Sequence, residues 1–329
     1  INVTSGGTIS ANYLGFPQTQ GPGYYSDLRG GIYASRGTSN TKVTYGDSHA
    51  PISLGSGSLD GPGGGAVILN ATSIMVGGSI LSLGKTESFY NSEGGSGGSI
   101  WIISDNLEGN GTISANGGNG YYAGAGGGRI SFNNVTNYDF NGEISVDGGT
   151  STGVRDRGYA GTIVFPQSKL DNFILSNTLR LGGDINYTFG NLTILDGGIL
   201  ELDADPRSNY NSITSLYEGS TSRVFADIIN VTSGGTISAN YLGFPQRQGP
   251  GYDADLRGAN HGGLGGSNRK SIYGDPYSPT SIGSGGGDRD GGGAIIINST
   301  EFIANGDITA EGAAGGFNNL EGGAGGSIF

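Results

Sequence analysis

The first 30 residues return almost unchanged 228 positions later. INVTSGGTISANYLGFPQTQGPGYYSDLRG opens the chain, and INVTSGGTISANYLGFPQRQGPGYDADLRG begins at Ile229; 27 of 30 positions agree, the exceptions being Thr19/Arg247, Tyr25/Asp253 and Ser26/Ala254. The offset of 228 holds to the end of the chain, where Phe329 stands opposite Trp101. Residues 1–228 therefore read as one full repeat unit and 229–329 as the first part of the next. Tandem duplication at such a period points to a continuous array built from stacked supersecondary units. Both ends fall inside the pattern, so the sequence reads as part of a longer polypeptide.

A shorter period runs inside the unit. The last glycine before an apolar run falls at Gly65, Gly98, Gly128 and Gly161, spacings of 33, 30 and 33, and is followed by AVIL, SIWI, RISF and TIVF. A second phrase, Gly-x-Ile, recurs at Gly7, Gly78, Gly111 and Gly142. Alternation of apolar and polar residues, as in Ile100–Ile103 and Thr112–Ala115, predicts strands with one buried face. Glycine pairs at their ends predict tight corners. One pass of the chain thus carries a Gly-started strand, a middle strand such as 72–76, and a Gly-x-Ile strand. Alone it cannot bury its apolar face; stacked passes can.

Composition supports this reading. Gly is 69 of 329 residues, about three times average usage, without the every-third-residue period of collagen. Aliphatic residues at strand spacing argue against disorder. The net charge of −12 from 16 basic and 28 acidic residues excludes nucleic acid as a partner on electrostatic grounds. No apolar run is long enough to span a membrane. Cysteine is absent, which removes disulfides, thiolate metal sites and cysteine nucleophiles. No segment has helical periodicity with caps. Residues 166–228 carry fewer glycines and closely spaced strands, with an excursion at 203–211.

The phrases GSGGGDRDGGGAIIIN, GGSGGSIWI, GTISANGG, GGGRISF and GYAGTIVF resemble the glycine-rich repeats of very large secreted or cell-surface proteins. The similarity covers most of residues 1–165 and 229–329. It implies an all-β, right-handed parallel β-helix (β-solenoid) with Gly-rich loops, an extracellular or cell-surface location, and a structural role in a fibre, filament or appendage. It supplies no catalytic motif. An adhesin or carbohydrate-binding solenoid is the alternative, and a polysaccharide-active enzyme the third.

Candidate chemistry is sparse. The carboxylates Asp288 and Asp290 around Arg289, the pair Asp203/Asp205, and Asp156 between Arg155 and Arg157 could in principle form an acidic-basic cleft. The first copy has Asp60, Gly61 and Pro62 where the second has Asp288–Asp290, so solvated loop charge is the better reading. Asp47 and Asp275, in the shared Tyr-Gly-Asp phrase, should satisfy loop amides. His49 and His261 do not correspond under the offset and read as loop decoration. No phosphate loop is present, since neither helix N-terminus nor lysine follows the glycines. A Thr/Ser ladder suited to ice is interrupted by Leu81 and Glu143. No catalytic residue, metal ligand or cofactor is expected.

Eight Asn-x-Thr triplets, at Asn2, Asn70, Asn110, Asn134, Asn186, Asn191, Asn230 and Asn298, are acceptors for N-linked glycans. Tyr24, Tyr25, Tyr121, Tyr122, Tyr273 and Tyr277 should pin loops to the strands rather than stack on sugars. Counting from each strand-starting glycine, positions two and four (Val67/Leu69, Ile100/Ile102, Ile130/Phe132, Ile163/Phe165) should face inward, with Ile9, Ile80, Ile113 and Ile144 as a second column. On that count Ile130→Asp should disrupt folding and Arg129→Asp should be nearly silent. Position three should face outward, yet holds Ile68, Trp101, Val164, Ile296 and Phe329, with Ser131 the polar exception. Such a column needs a cover: either the long loop of residues 15–64 folds back over it, or a neighbouring copy packs there. The partner expected is therefore the protein itself, end to end, laterally or by continuation.

Overall fold

The computed structural model describes residues 1–26, 30–37, 43–151, 157–206, 210–211, 216–253, 258–266, 270–315 and 321–329. They form two units, residues 1–172 with 183–185, and residues 173–182 with 186–329. Both are almost wholly β.

In the first unit the strands are β1 (Asn2–Val3), β2 (Thr8–Ser10), β3 (Ala66–Asn70), β4 (Ser73–Val76), β5 (Ser79–Leu81), β6 (Ser99–Ile103), β7 (Asn106–Gly109), β8 (Thr112–Ser114), β9 (Arg129–Asn133), β10 (Asn137–Phe140), β11 (Glu143–Ser145) and β12 (Thr162–Val164). Every third strand belongs to the same sheet. The orders are β1-β4-β7-β10, β2-β5-β8-β11 and β3-β6-β9-β12, and every pairing is parallel. The register puts like on like: Val67 opposite Ile100, Ile100 opposite Ile130, Ile130 opposite Ile163. A second column aligns Ile9, Ile80, Ile113 and Ile144. Both are the columns expected from glycine spacing.

Burial follows the same alternation. Ile100, Ile102, Ile130 and Ile163 are fully buried and Val67, Phe132 and Phe165 nearly so; Leu69 is half-buried. Each such side chain contributes about 1.5–3 kcal/mol. Between β6 and β8 the polar run Asn106–Gly109 is itself a strand, with Leu107 buried. It is the middle strand expected of each pass, paired in parallel with β4 although it carries a single apolar residue among Asn, Glu and Gly.

The glycines act chiefly through close approach. At Gly127 an added Cβ would lie 1.8 Å from the Val146 carbonyl oxygen and 2.7 Å from the Gly161 nitrogen. Gly97 meets Ala115 and Gly128 in the same way, 2.0 and 2.6 Å from where its Cβ would stand. Backbone meets backbone at these corners, and the amides of Gly128 and Gly161 donate to the carbonyls of Ala115 and Val146 at 2.8 and 2.7 Å.

A single helical turn, α1 (Gln167–Leu170), follows Pro166. Proline before a first turn is compatible with helix entry, and four residues are too few for a periodic signal. The second unit contains β13 (Asn172–Leu175, its first residue grouped with the first unit), β14 (Thr178–Leu181), β15 (Tyr187–Ile194), β16 (Ile199–Leu202), β17 (Ala204–Asp205), β18 (Tyr210–Asn211), β19 (Leu216–Tyr217), β20 (Ser220–Thr221), β21 (Val224–Val231), β22 (Thr236–Ser238), β23 (Ala294–Ile295), β24 (Ile297–Ala304), β25 (Asp307–Thr309) and β26 (Ser327–Ile328). Its larger sheets are β13-β15-β21-β24 and β14-β16-β22-β25, and β23 pairs with β26 in parallel. The excursion at 203–211 joins two short antiparallel ladders, β17 with β20 and β18 with β19.

Candidate functional site

The long loop of the first unit lies over the outward face of β6 and β9. Its course is set by a local device. In the turn at Tyr-Gly-Asp, Asp47 Oδ1 accepts from the amides of His49 and Ala50 at 2.7 and 3.2 Å, the role expected of it. Three loop carbonyls then take side-chain donors from the strands. Ser99 Oγ donates to Ser53 at 2.6 Å, Ser131 Oγ to His49 at 2.8 Å, and the Arg129 guanidinium to Tyr45. Loop cover thus extends over outward positions of both strands.

Arg129 is where the sequence reading fails. It is fully buried, not a solvated outward charge. Nη1 and Nη2 reach the two carboxylate oxygens of Asp184 at 2.8 and 2.9 Å, a bidentate pair. Nη1 also donates to Thr162 Oγ1 at 3.0 Å, Nε and Nη2 to the Tyr45 carbonyl at 3.3 and 3.0 Å, and Cζ stands 5.4 Å over the Tyr33 ring. Burial pushes the Asp184 carboxyl up, but the hydrogen bonds and charge of Arg129, with Thr162, outweigh it and hold the carboxyl below its usual range. Every nitrogen of the guanidinium is engaged by protein. The cluster fastens a loop to a strand and leaves no donor for a substrate.

The second unit repeats the loop's construction at an offset of 228. Asp275 Oδ1 accepts from the amides of Tyr277 and Ser278 at 2.8 and 3.3 Å. Ser327 Oγ donates to the Ser281 carbonyl at 2.7 Å, as Ser99 does to Ser53. Tyr273 OH reaches the Ile282 carbonyl and Ser284 Oγ at 2.5 and 2.9 Å, as Tyr45 does Leu54 and Ser56 at 2.6 and 2.8 Å. Tyr273 therefore pins its loop; Tyr277, 92% exposed, does not.

His261 corrects the reading of loop decoration. It is buried, with Nδ1 at 2.9 Å from the Gly325 carbonyl and Nε2 at 2.9 Å from Ser281 Oγ. It occupies the place of Tyr33, since 33 + 228 = 261, and faces Tyr273 at 4.8 Å as Tyr33 faces Tyr45 at 5.0 Å. Burial holds its pKa below the usual value despite the Gly325 and Gly326 backbone contacts. His49 is exposed, its Nδ1 beside Ser48 Oγ.

A second feature escaped the sequence reading. Glu93 is fully buried, with Oε2 accepting from the Leu59 amide at 3.2 Å and Oε1 without a hydrogen-bond partner among the described residues. Its own amide donates to Asp60 Oδ2 at 3.1 Å. Burial, with the Asp60 charge adding to it against the Leu59 amide, pushes the Glu93 carboxyl up to about 7. A legible signal existed: Glu321 keeps the same place under the offset and is also buried. In that copy Arg247, which replaces Thr19, reaches the Asp60 counterpart Asp288 at 3.4 Å.

Because the folded pKa of Glu93 lies above its unfolded value, its contribution to stability is fully present below about pH 4.5 and lost as pH rises through about 7. Glu93→Gln should accordingly raise stability at pH 8 by about 3 kcal/mol and leave it nearly unchanged at pH 4. Urea unfolding at the two pH values checks this; an equal effect at both would exclude the buried acid as the cause.

The carboxylates considered for catalysis do not converge. Asp288 pairs with Arg247, Arg289 Nε donates to the Ala314 carbonyl at 3.0 Å, and Asp290 Oδ1 accepts from the Gln246 amide at 3.1 Å. They tie three separate loop segments. Asp203 is buried and accepts from the Ala204 amide at 2.9 Å; Asp205 lies on β17. Arg155 and Asp156 lie outside the described residues. No group of three or more His, Asp or Glu side chains is placed to hold a metal ion among the described residues, and no helix among them is long and apolar enough to cross a membrane. Leu81 and Glu143 stand in the register of the interrupted Ser and Thr columns.

Seven of the eight sequon asparagines are exposed, and Asn230 is half-buried. In the position-three column Ile68 and Phe329 are about half exposed, Trp101 and Val164 are half-buried, and Ile296 is buried. The Trp101 indole nitrogen is buried without an acceptor among the described residues. Tyr24, Tyr25, Tyr121 and Tyr122 are half-buried, and Tyr121 lies 5.2 Å from Tyr90. No protein family, curated protein or solved structure matches the chain.

Proposed function

We propose that this chain is a structural repeat protein: a right-handed parallel β-helix with Gly-rich loops that forms part of an extracellular fibre, filament or cell-surface appendage and carries N-linked glycans. The observation that supports it most is the constant parallel register of every third strand in the first unit, which aligns Val67, Ile100, Ile130 and Ile163. Strands stacked this way satisfy each other's backbone groups along one axis, and right-handed crossovers are the rule for parallel strands. The chain's polar side chains support a scaffold over an enzyme, because Arg129, Asp47, Asp275 and the Asp288–Asp290 segment are spent on holding loops. Exposed sequon asparagines offer acceptors along the outer surface.

Imaging and mass spectrometry of the protein isolated from its source test this together. The expected result is a filament with an axial repeat of about 4.8 Å and glycans on several of the eight asparagines, with Asn2 and Asn70 modified like their copies Asn230 and Asn298. Dispersed particles with every asparagine bare would overturn both parts.

A further inference from the structure

Five of the eight sequon asparagines lie within strands: Asn2 on β1, Asn70 on β3, Asn191 on β15, Asn230 on β21 and Asn298 on β24. Each stands opposite a large apolar residue of a neighbouring strand. Asn2 faces Met75, Asn70 faces Ile103, Asn191 faces Ile228, Asn230 faces Ile303 and Asn298 faces Phe225. Asn106 and Asn137, which are not sequons, face Ser73 and each other; Asn133, next to the sequon Asn134, faces Ile103. The pairing survives duplication. Asn230 and Ile303 are the copies of Asn2 and Met75, so the opposing residue changed from Met to Ile and stayed apolar.

These apolar side chains point away from the core. Met75 and Ile228 are 41% and 37% exposed, and Ile103 and Phe225 are half-buried. All four lie on strands paired on both sides, so their exposure belongs to the outward face and not to a sheet edge. Scattered singly, such residues are ordinary; repeated opposite sequon asparagines, they form a pattern. Neighbouring strands lie about 4.8 Å apart, within reach of the first sugar on an asparagine side chain. That sugar, N-acetylglucosamine, has a C–H ring face and an acetyl methyl. Laid across the strand direction, it sets apolar atoms on the opposite side chain and keeps its hydroxyls in water.

We propose that the first N-acetylglucosamine on each of these five asparagines folds onto the neighbouring strand and covers the apolar side chain there, making the glycan part of the packing of the outward face. The proposal rests on the N-glycosylation read above and assigns the sugar its contact.

Met75 is the single methionine and cysteine is absent, so peroxide oxidation reports on this contact, because susceptibility follows exposure. The test times Met75 sulfoxide by mass spectrometry in the chain secreted from a glycosylating host. Oxidation should be about fivefold slower with Asn2 glycosylated than in Asn2→Gln, and trimming the glycan to one N-acetylglucosamine should keep the protection. In a double-mutant cycle, Asn191→Gln should lower the melting temperature by about 2 °C, and should not when Ile228→Ser is already present. Equal oxidation rates or an additive cycle on glycosylated protein would overturn the proposal and leave glycosylation standing. Bare asparagines would overturn both. Protection in Asn2→Gln that grows with protein concentration would give the face to a second copy and overturn the sugar contact.

Discussion

Arg129→Asp is expected to destabilise the first unit by about 3–5 kcal/mol, although its position in the strand alternation marks it as an outward residue. The substitution removes a bidentate pair with Asp184, two donors to the Tyr45 carbonyl and one to Thr162, and sets a carboxylate against Asp184. Tyr45 sits in the loop, so the change should also release loop cover from β9. Urea unfolding measures the loss, and proteolysis of residues 43–54 reports the release. Ile130→Asp places a charge in the inward column and should also unfold the unit. A silent Arg129→Asp would mean that the loop does not lie on this face. The inward register would survive, because the columns that define it do not involve the arginine.

Gly127→Ala is expected to cost about 3 kcal/mol, more than most surface substitutions would. The added methyl would meet the Val146 carbonyl and the Gly161 amide, the two groups that bond at 2.7 Å across this corner. Relief requires separating neighbouring passes of backbone, since no flexible side chain can move aside. Gly262→Ala is the control: a Cβ there meets nothing within 4 Å. Similar melting temperatures for the two variants would remove close approach as the reason for these glycines.

The inward columns were legible because two short-range signals agree on them. Glycine spacing fixes where each strand starts, and alternation from that start fixes which side chains face in. What covers the outward face was not legible. Arg129 is held by Tyr45 and Asp184, 84 and 55 residues away, in segments with no periodicity of their own. A charged side chain in an outward position reads as solvated until its cover is known. His261 was misread for a different reason. Comparing the two histidines with each other hides that His261 stands in for Tyr33, and the shared property is a ring packed on a tyrosine. Glu93 shows the converse, since its burial follows from contacts to Leu59 and Asp60 that no local pattern announces.

The register also bears on how such a chain finds its structure. Val67, Ile100, Ile130 and Ile163 pair across separations of 33, 30 and 33 residues, and larger gaps such as Ile229 to Phe302 arise where the long loop intervenes. Sequence separation between paired strands is therefore set by the spacing of neighbouring passes and not by total length. Folding time rises with relative contact order among small domains, and in stacked repeats growth proceeds from neighbour to neighbour. Adding repeat units lengthens the product without lengthening the search each new strand must make, and the long loop sets the slowest closure in every unit.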